Sequence, residues 1–349
     1  MVLYNQYIKA LQESNQISEN FYLTSLENAV KRVSEQFQDD PHDSVIREYN
    51  EELLNIIEEL LNIIDSNFAL DPQKTNEFAQ KLGEADFYVF CKKRGITLTP
   101  LDPIRRTTKR KHQVTPDFIY KPYDIYFEIK TLSVVFGKEG IKKSLEDALD
   151  ARIEIEQQLK QGRKIASSVY VIQPYGEKPY KRGTITAVIE TLLENTRQNI
   201  KRGQFPNDKS FLVINLSLIP PFRTENYVLR PAYCDDYMFK KAVSGDLWMT
   251  AFAQPGMLVL GIPEFEGKPC VESVIDKKGI LLEFDIIAGI LFMVYPWQRD
   301  LEVWGLYKYE KHMDWRDNTP EIIEILQKIT GNNWNDDRDT NGWQLQGNS

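Results

Sequence analysis

Cysteine and histidine are both scarce in this chain, with three of each among 349 residues. Cys91, Cys234 and Cys270 are odd in number, far apart and without a CxxC pair, which excludes a disulfide framework or a zinc ribbon and suits a reducing compartment. Long apolar runs are missing too. The longest, 286–295, is about half of the roughly 20 residues that a membrane helix needs. The first sixteen residues are polar and lack the apolar region of a signal peptide. A soluble, cytoplasmic protein with no membrane partner is the expectation. Gly-x4-Gly-Lys-Ser/Thr and Gly-x-Gly-x-x-Gly loops are absent, so ATP-driven translocation is not expected of this chain. Nor is positive charge in excess: 43 Lys and Arg stand against 51 Asp and Glu, a net charge of −8. That excludes a polycationic coat protein for nucleic acid, while a local basic patch stays compatible with it.

What is present is ordinary globular composition, 42% hydrophobic and 27% charged, which rules out wholesale disorder. Seventeen Phe, seventeen Tyr and six Trp are enough to fill a sizeable core. The length amounts to about two domains, since single cores stop growing near ~250–300 residues. Five of the six tryptophans fall at 297, 304, 315, 334 and 343. Stacking on bases is one use for such residues, and core or interface packing is the commoner one.

Residues 1–70 read as helical. From Leu53 to Ile64 apolar residues recur at three- and four-residue spacing, and 23–37 forms a shorter helix opened by Thr24 or Ser25 as N-cap. The turn-rich stretch 38–44 separates them. A helix is expected from Pro72 and Thr75 to about Arg94, closed by Gly95 as C′ residue. Short strands follow at 117–120 and 125–132, joined by the turn 121–124. Then come a helix over 142–161 ending at Gly162, a central strand over 165–172, a helix over 185–202 and a strand over 211–216. Further strands are expected at 257–261, 290–295 and 303–307, and a disordered Asn-, Asp- and Gly-rich tail over 332–349. Helices alternating with strands predict an α/β sandwich around a mixed sheet.

The chemistry concentrates in Thr115-Pro116-Asp117-Phe118-Ile119-Tyr120 and Ile125-Tyr126-Phe127-Glu128-Ile129-Lys130. Side chains alternate along a strand, so Ile125, Phe127 and Ile129 share one face, and Tyr126, Glu128 and Lys130 the other. If the two segments pair as a hairpin, Asp117 lies near Glu128, giving two carboxylates and one lysine in one pocket. Carboxylates this close repel unless a cation sits between them. Oxygen-only ligation selects a hard divalent ion, Mg²⁺ above all with Mn²⁺ as alternative, and such a site suits phosphodiester hydrolysis. Lys130 would hold the attacking water or stabilise the charge that develops on the phosphate.

These residues resemble the motif of the PD-(D/E)xK, or restriction-endonuclease-like, nuclease superfamily, with Pro116-Asp117 and Glu128-Ile129-Lys130 in its positions. The resemblance covers about residues 75–175. It implies a restriction-endonuclease-like mixed β-sheet flanked by helices, in the order helix, strand hairpin, helix, strand. It also implies Asp117 and Glu128 as metal ligands and Lys130 as the catalytic lysine. An additional acidic residue on the helix before the hairpin would be Glu84, as accessory ligand, with Asp86 as rival two residues on. The division of the chain that follows is a helical extension (1–70), a nuclease domain with a C-terminal α/β elaboration (71–310), and a C-terminal helix with tail (311–349).

Weaker features point the same way. Arg105, Arg106, Lys109, Arg110 and Lys111 place five positive charges just before the hairpin, against the sign of the whole chain. Beside an acidic metal site, a basic loop would position a phosphate backbone without reading its sequence. Lys138, Lys142 and Lys143 could extend it, His112 could touch a phosphate, and Glu154, Gln157, Gln158 or Gln161 could approach the metal from the next helix. The expected activity is metal-dependent cleavage of DNA, with RNA left open and a homodimer suggested by the two strands of a duplex. The competing readings are a nucleic-acid-binding protein of the same fold without turnover, and a structural subunit that recruits partners.

Overall fold

Four helices lead the chain: α1 (Val2–Asn15), α2 (Phe21–Asp39), α3 (Ser44–Asn67) and α4 (Pro72–Lys92). They belong to a computed structural model that describes residues 2–15, 21–67, 72–101, 115–132, 153–163, 166, 185–219, 227–229, 231–236, 239–260, 271–295 and 300–338. The helical period read from α3 is the one it buries: Tyr49, Leu53, Ile56, Ile57 and Leu60 all turn inward. The break before it is an N-cap, because Asp43 Oδ1 accepts the backbone N–H groups of Val45 (2.9 Å) and Ile46 (3.2 Å). Helix α2 starts at Phe21, so Ser25 is no cap but a buried residue inside it. Gly95, at φ 75°, takes the left-handed conformation expected of the residue that closes α4.

Seven strands form the main sheet: β1 (Thr99–Pro100), β2 (Phe118–Tyr120), β3 (Ile125–Thr131), β4 (Ser210–Asn215), β9 (Gly289–Val294), β10 (Glu302–Tyr307) and β11 (Trp334–Asp336), in the order β1-β2-β3-β4-β9-β10-β11. The meander β1-β2-β3 is antiparallel, β3–β4 and β4–β9 are parallel, β9–β10 is antiparallel and β10–β11 parallel. All six residues of β4 are buried, as a parallel strand covered on both faces requires. A second sheet, order β5-β6-β7-β8, is built from β5 (Ala232–Asp236), β6 (Phe239–Ser244), β7 (Leu258–Leu260) and β8 (Val271–Val274).

Alternation along the strands divides the interior in two. Phe127, Phe211, Val213, Leu291 and Tyr307 share one core with α1–α4 and with the helix Thr319–Thr330. Leu212, Ile214, Ile290, Phe292 and Leu306 face the other way, onto α6 (Ile185–Asn199), α7 (Asp246–Phe252) and α8 (Ile280–Glu283). The architecture is therefore mixed α/β, a seven-stranded sheet flanked by helices. The first 70 residues share their core with it, and β7 and β8 of the second sheet lie against α6. Trp248, Trp304 and Trp315 are buried and serve packing, while Trp334 stacks on Tyr307 at 5.5 Å between ring centroids. Trp297 and Trp343 lie outside the described residues.

Of the central strand expected over 165–172 only residue 166 is described. The strand parallel to β3 is β4, far later in the chain, as a crossover of a dozen or more residues allows. Of the helix expected over 142–161, the described part is α5, residues 153–160. The tail expected over 332–349 is corrected in its first part: Trp334–Asp336 is the edge strand β11, parallel to Gly305–Tyr307, with Trp334 stacked on Tyr307. Residues 339–349 lie outside the described ones.

Helix α4 docks unusually close to the end of β3. Gln80 of α4 reads the backbone of Thr131 like a neighbouring strand, donating Nε2–H to its carbonyl (2.6 Å) and accepting its N–H (3.1 Å). A Cβ on Gly83 would stand 2.0 Å from Thr131 Oγ1 and 2.7 Å from Asn215 Nδ2. Only a residue without a side chain fits that crossing. Gly83→Ala is expected to lose about 1–3 kcal/mol of stability through overpacking, despite roughly 1 kcal/mol gained in helix propensity. Urea denaturation measures it, and an unchanged midpoint would show that α4 sits loosely on the sheet.

Candidate functional site

The turn Lys121–Tyr123, closed by Asp124 in the left-handed conformation at φ 52°, sets the register of the β2–β3 hairpin. Phe118 pairs with Phe127, and one step further along this register Asp117 comes opposite Glu128. Phe127 packs on Phe87 of α4 and on Phe211 of β4, so Glu128 and Lys130 necessarily project from the other face. Asp117 is half-buried and anchored at both ends: its Oδ2 accepts the Ile129 N–H (2.7 Å), and its carbonyl accepts the Leu101 N–H (2.9 Å). Glu128 is buried, and its Oε1 accepts hydrogen bonds from Lys130 Nζ and from Gln204 Nε2.

Glu84, buried on α4, completes the group. Its Oε2 accepts from Lys81 Nζ (2.7 Å) and from the hydroxyl of Tyr49 on α3 (3.1 Å). The charges of Glu84 and Glu128 both reach Asp117. Burial first, then the negative charges of Glu84 and Glu128, hold the Asp117 carboxyl well above the usual carboxylate range, against the pull of the Ile129 N–H and the Lys130 ammonium. The rival, Asp86, faces elsewhere. It is locked in a bidentate pair with Arg32 of α2, at 2.9 and 2.7 Å, beneath the N-terminal helices.

Glu84, Asp117, Glu128 and Lys130 are thus brought into one neighbourhood. Arg105, Arg106, Lys109, Arg110, Lys111 and His112 lie outside the described residues, as do Lys138, Lys142 and Lys143. Glu154, Gln157, Gln158 and Gln161 belong to α5 and its end, where Gln158 hydrogen-bonds along its own helix to Glu154 (3.3 Å). The amide beside Glu128 is instead Gln204, from the 3₁₀ turn Arg202–Gln204 that precedes β4. Nothing in the local pattern marks Gln204 or Tyr49, because each reaches the group only through the folding of distant segments. Lys81 was legible as the i,i+3 neighbour of Glu84.

The donor chemistry, carboxylate oxygens crowded around a half-buried carboxyl of raised pKa, fits a hard divalent cation. Among the described residues, however, no group of three or more His, Cys, Asp or Glu side chains is placed to hold a metal ion. The hydrogen bonds show a reason. Glu84 turns an oxygen to Lys81 and Tyr49, and Glu128 turns one to Lys130 and Gln204, so two ammonium groups stand among these carboxylates. Also among the described residues, no helix is long and apolar enough to cross a membrane. Compared with protein-family models, with curated proteins and with solved structures, the chain matches none of them.

The raised Asp117 pKa carries a sign. The folded chain keeps this proton to higher pH than the unfolded chain, whose aspartates titrate near ~3.9. Stability therefore falls as pH rises from about 4 through the folded pKa, then levels off. Asp117→Asn keeps the acceptor for Ile129 and removes the charge. It is expected to melt higher than wild type at pH 8, with the difference vanishing towards pH 4. Equal destabilisation at both pH values would contradict the crowding of these carboxylates.

Proposed function

We propose that this chain is a Mg²⁺-dependent nuclease of the PD-(D/E)xK, restriction-endonuclease-like class, hydrolysing DNA phosphodiester bonds. The observation that carries the reading is the meeting of Asp117, Glu128 and Glu84 around one raised carboxyl, with Lys130 on Glu128. The order of elements supports it: helix α4, antiparallel pair β2–β3, helix α6, and β4 parallel to β3.

In this reading Asp117, Glu128 and Glu84 would hold the ion, Mg²⁺ or Mn²⁺, once Glu84 and Glu128 turn from their lysines. A bound ion would supply neutralisation of the attacked phosphate and an acidified water. The chain's own part is positional. The Ile129 N–H fixes one oxygen of Asp117, and Gln204 and Lys130 fix the carboxylate of Glu128. The Lys130 side chain, 16% exposed, lies beside it, where its ammonium would orient the attacking water and stabilise the charge that develops on the phosphate. Arg105, Arg106, Lys109, Arg110 and Lys111 would grip the backbone, and a homodimer would bring two such sites to a duplex.

A second reading, a nucleic-acid-binding protein of the same fold without turnover, is favoured by one observation: Glu84 and Glu128 are each already paired with a lysine. Incubation of wild type with plasmid and with single-stranded DNA, with and without Mg²⁺, separates the two. Cleavage is expected only with the metal, and Asp117→Ala, Glu128→Ala or Lys130→Ala should each lower it by at least ~10²-fold while the circular dichroism stays unchanged. Salt-dependent DNA binding without cleavage would establish the second reading, and cleavage that persists in EDTA would sink the first.

A further inference from the structure

Lysine and glutamate three residues apart on a helix ordinarily make a weak, solvated pair. In Lys81-Leu82-Gly83-Glu84 both partners are instead buried, at 7% and 8% exposure, with Nζ 2.7 Å from Oε2. The oxygen that takes the ammonium also accepts the hydroxyl of Tyr49, from the N-terminal helical layer. The charge of the same carboxylate reaches Asp117. Lys81 has no part in the motif that Asp117, Glu128 and Lys130 resemble, and its ammonium lies where an ion bound by Glu84 would be repelled.

We propose that Lys81 is an internal counter-cation that occupies Glu84 while no divalent ion is bound, with Tyr49 as a second tether, so that Glu84 must leave both to become a ligand. The proposal rests on the metal-dependent reading of the site and deepens it. An ammonium and a divalent ion compete for one carboxylate, and away from water each unit of charge acts strongly. Lys81 therefore sets the threshold concentration at which the centre fills. Tyr49 makes that threshold depend on the seating of α3, which ties the first 70 residues to the site by a polar contact as well as by packing.

The test is calorimetric titration of Mn²⁺, and separately Mg²⁺, into the full chain without nucleic acid. Lys81→Met is expected to bind Mn²⁺ at least ~10-fold more tightly than wild type, since a repelling charge is removed. Lys81→Arg should restore wild-type affinity. Tyr49→Phe should tighten binding roughly 2- to 10-fold, the worth of one hydrogen bond. The gain from Lys81→Met should vanish in a Glu84→Gln background. Lys74→Met, on the same helix but paired with Glu59 and Glu77, should change nothing. Affinity equal to or weaker than wild type in Lys81→Met overturns the proposal; should that variant not fold, an unchanged affinity in Tyr49→Phe does so. Wild type that binds Mn²⁺ without any Lys81 effect removes the latch and leaves the nuclease reading standing. A chain that binds no Mn²⁺ even as Lys81→Met removes both.

Discussion

Carboxylates gathered away from water repel unless counter-charge is brought among them, and much of the region around β3 is arranged by that requirement. Glu84, Asp117 and Glu128 come from a helix, a strand entry and a strand interior, and each is met differently. Glu84 and Glu128 receive a lysine and a neutral donor apiece, whereas Asp117 has a backbone N–H and retains its proton to higher pH. The lysines come from the same elements as their partners, three residues away on α4 and two residues away on β3. Local sequence thus supplies compensation for a crowding that only the tertiary fold creates.

That crowding depends on how closely α4 lies against the sheet. The absent side chain of Gly83 opens the crossing, and the side chain of Gln80 closes it by pairing with the backbone of Thr131. Two carboxylates two residues apart then part company. Glu84 turns to the group around Asp117, and Asp86 turns to Arg32 beneath the N-terminal helices. A helix rotates about 100° per residue, so positions i and i+2 point to different neighbours. Arg32–Asp86 and the Asp43–Lys92–Tyr88 contacts also bind the helical layer to α4 by charge, in addition to the shared apolar core.

The long stretch between β3 and β4 has a different logic. Parallel strands need a crossover, and a crossover may contain any amount of chain as long as a helix covers the sheet. Here α6 provides that cover, and β7 and β8 of the second sheet, which come after β4 in the chain, lie against it. A long crossover leaves the pairing of β3 with β4 intact while moving its partner far along the sequence.

By itself the sequence determined the elements whose signal is local. The helical period of α3, the glycine at the end of α4, the alternation in Ile125–Thr131 and the pair Pro116-Asp117 with Glu128-Ile129-Lys130 could all be read residue by residue. The mixed sheet flanked by helices followed from their alternation. The tertiary structure alone decided which strand lies beside β3, that Trp334 belongs to an edge strand, that Glu84 and not Asp86 joins Asp117, and that Gln204 and Tyr49 come to the carboxylates. The physical reason is range. Periodicity, capping and side-chain alternation act over a few residues, whereas the choice of partner depends on burial and charge between segments that only folding brings together.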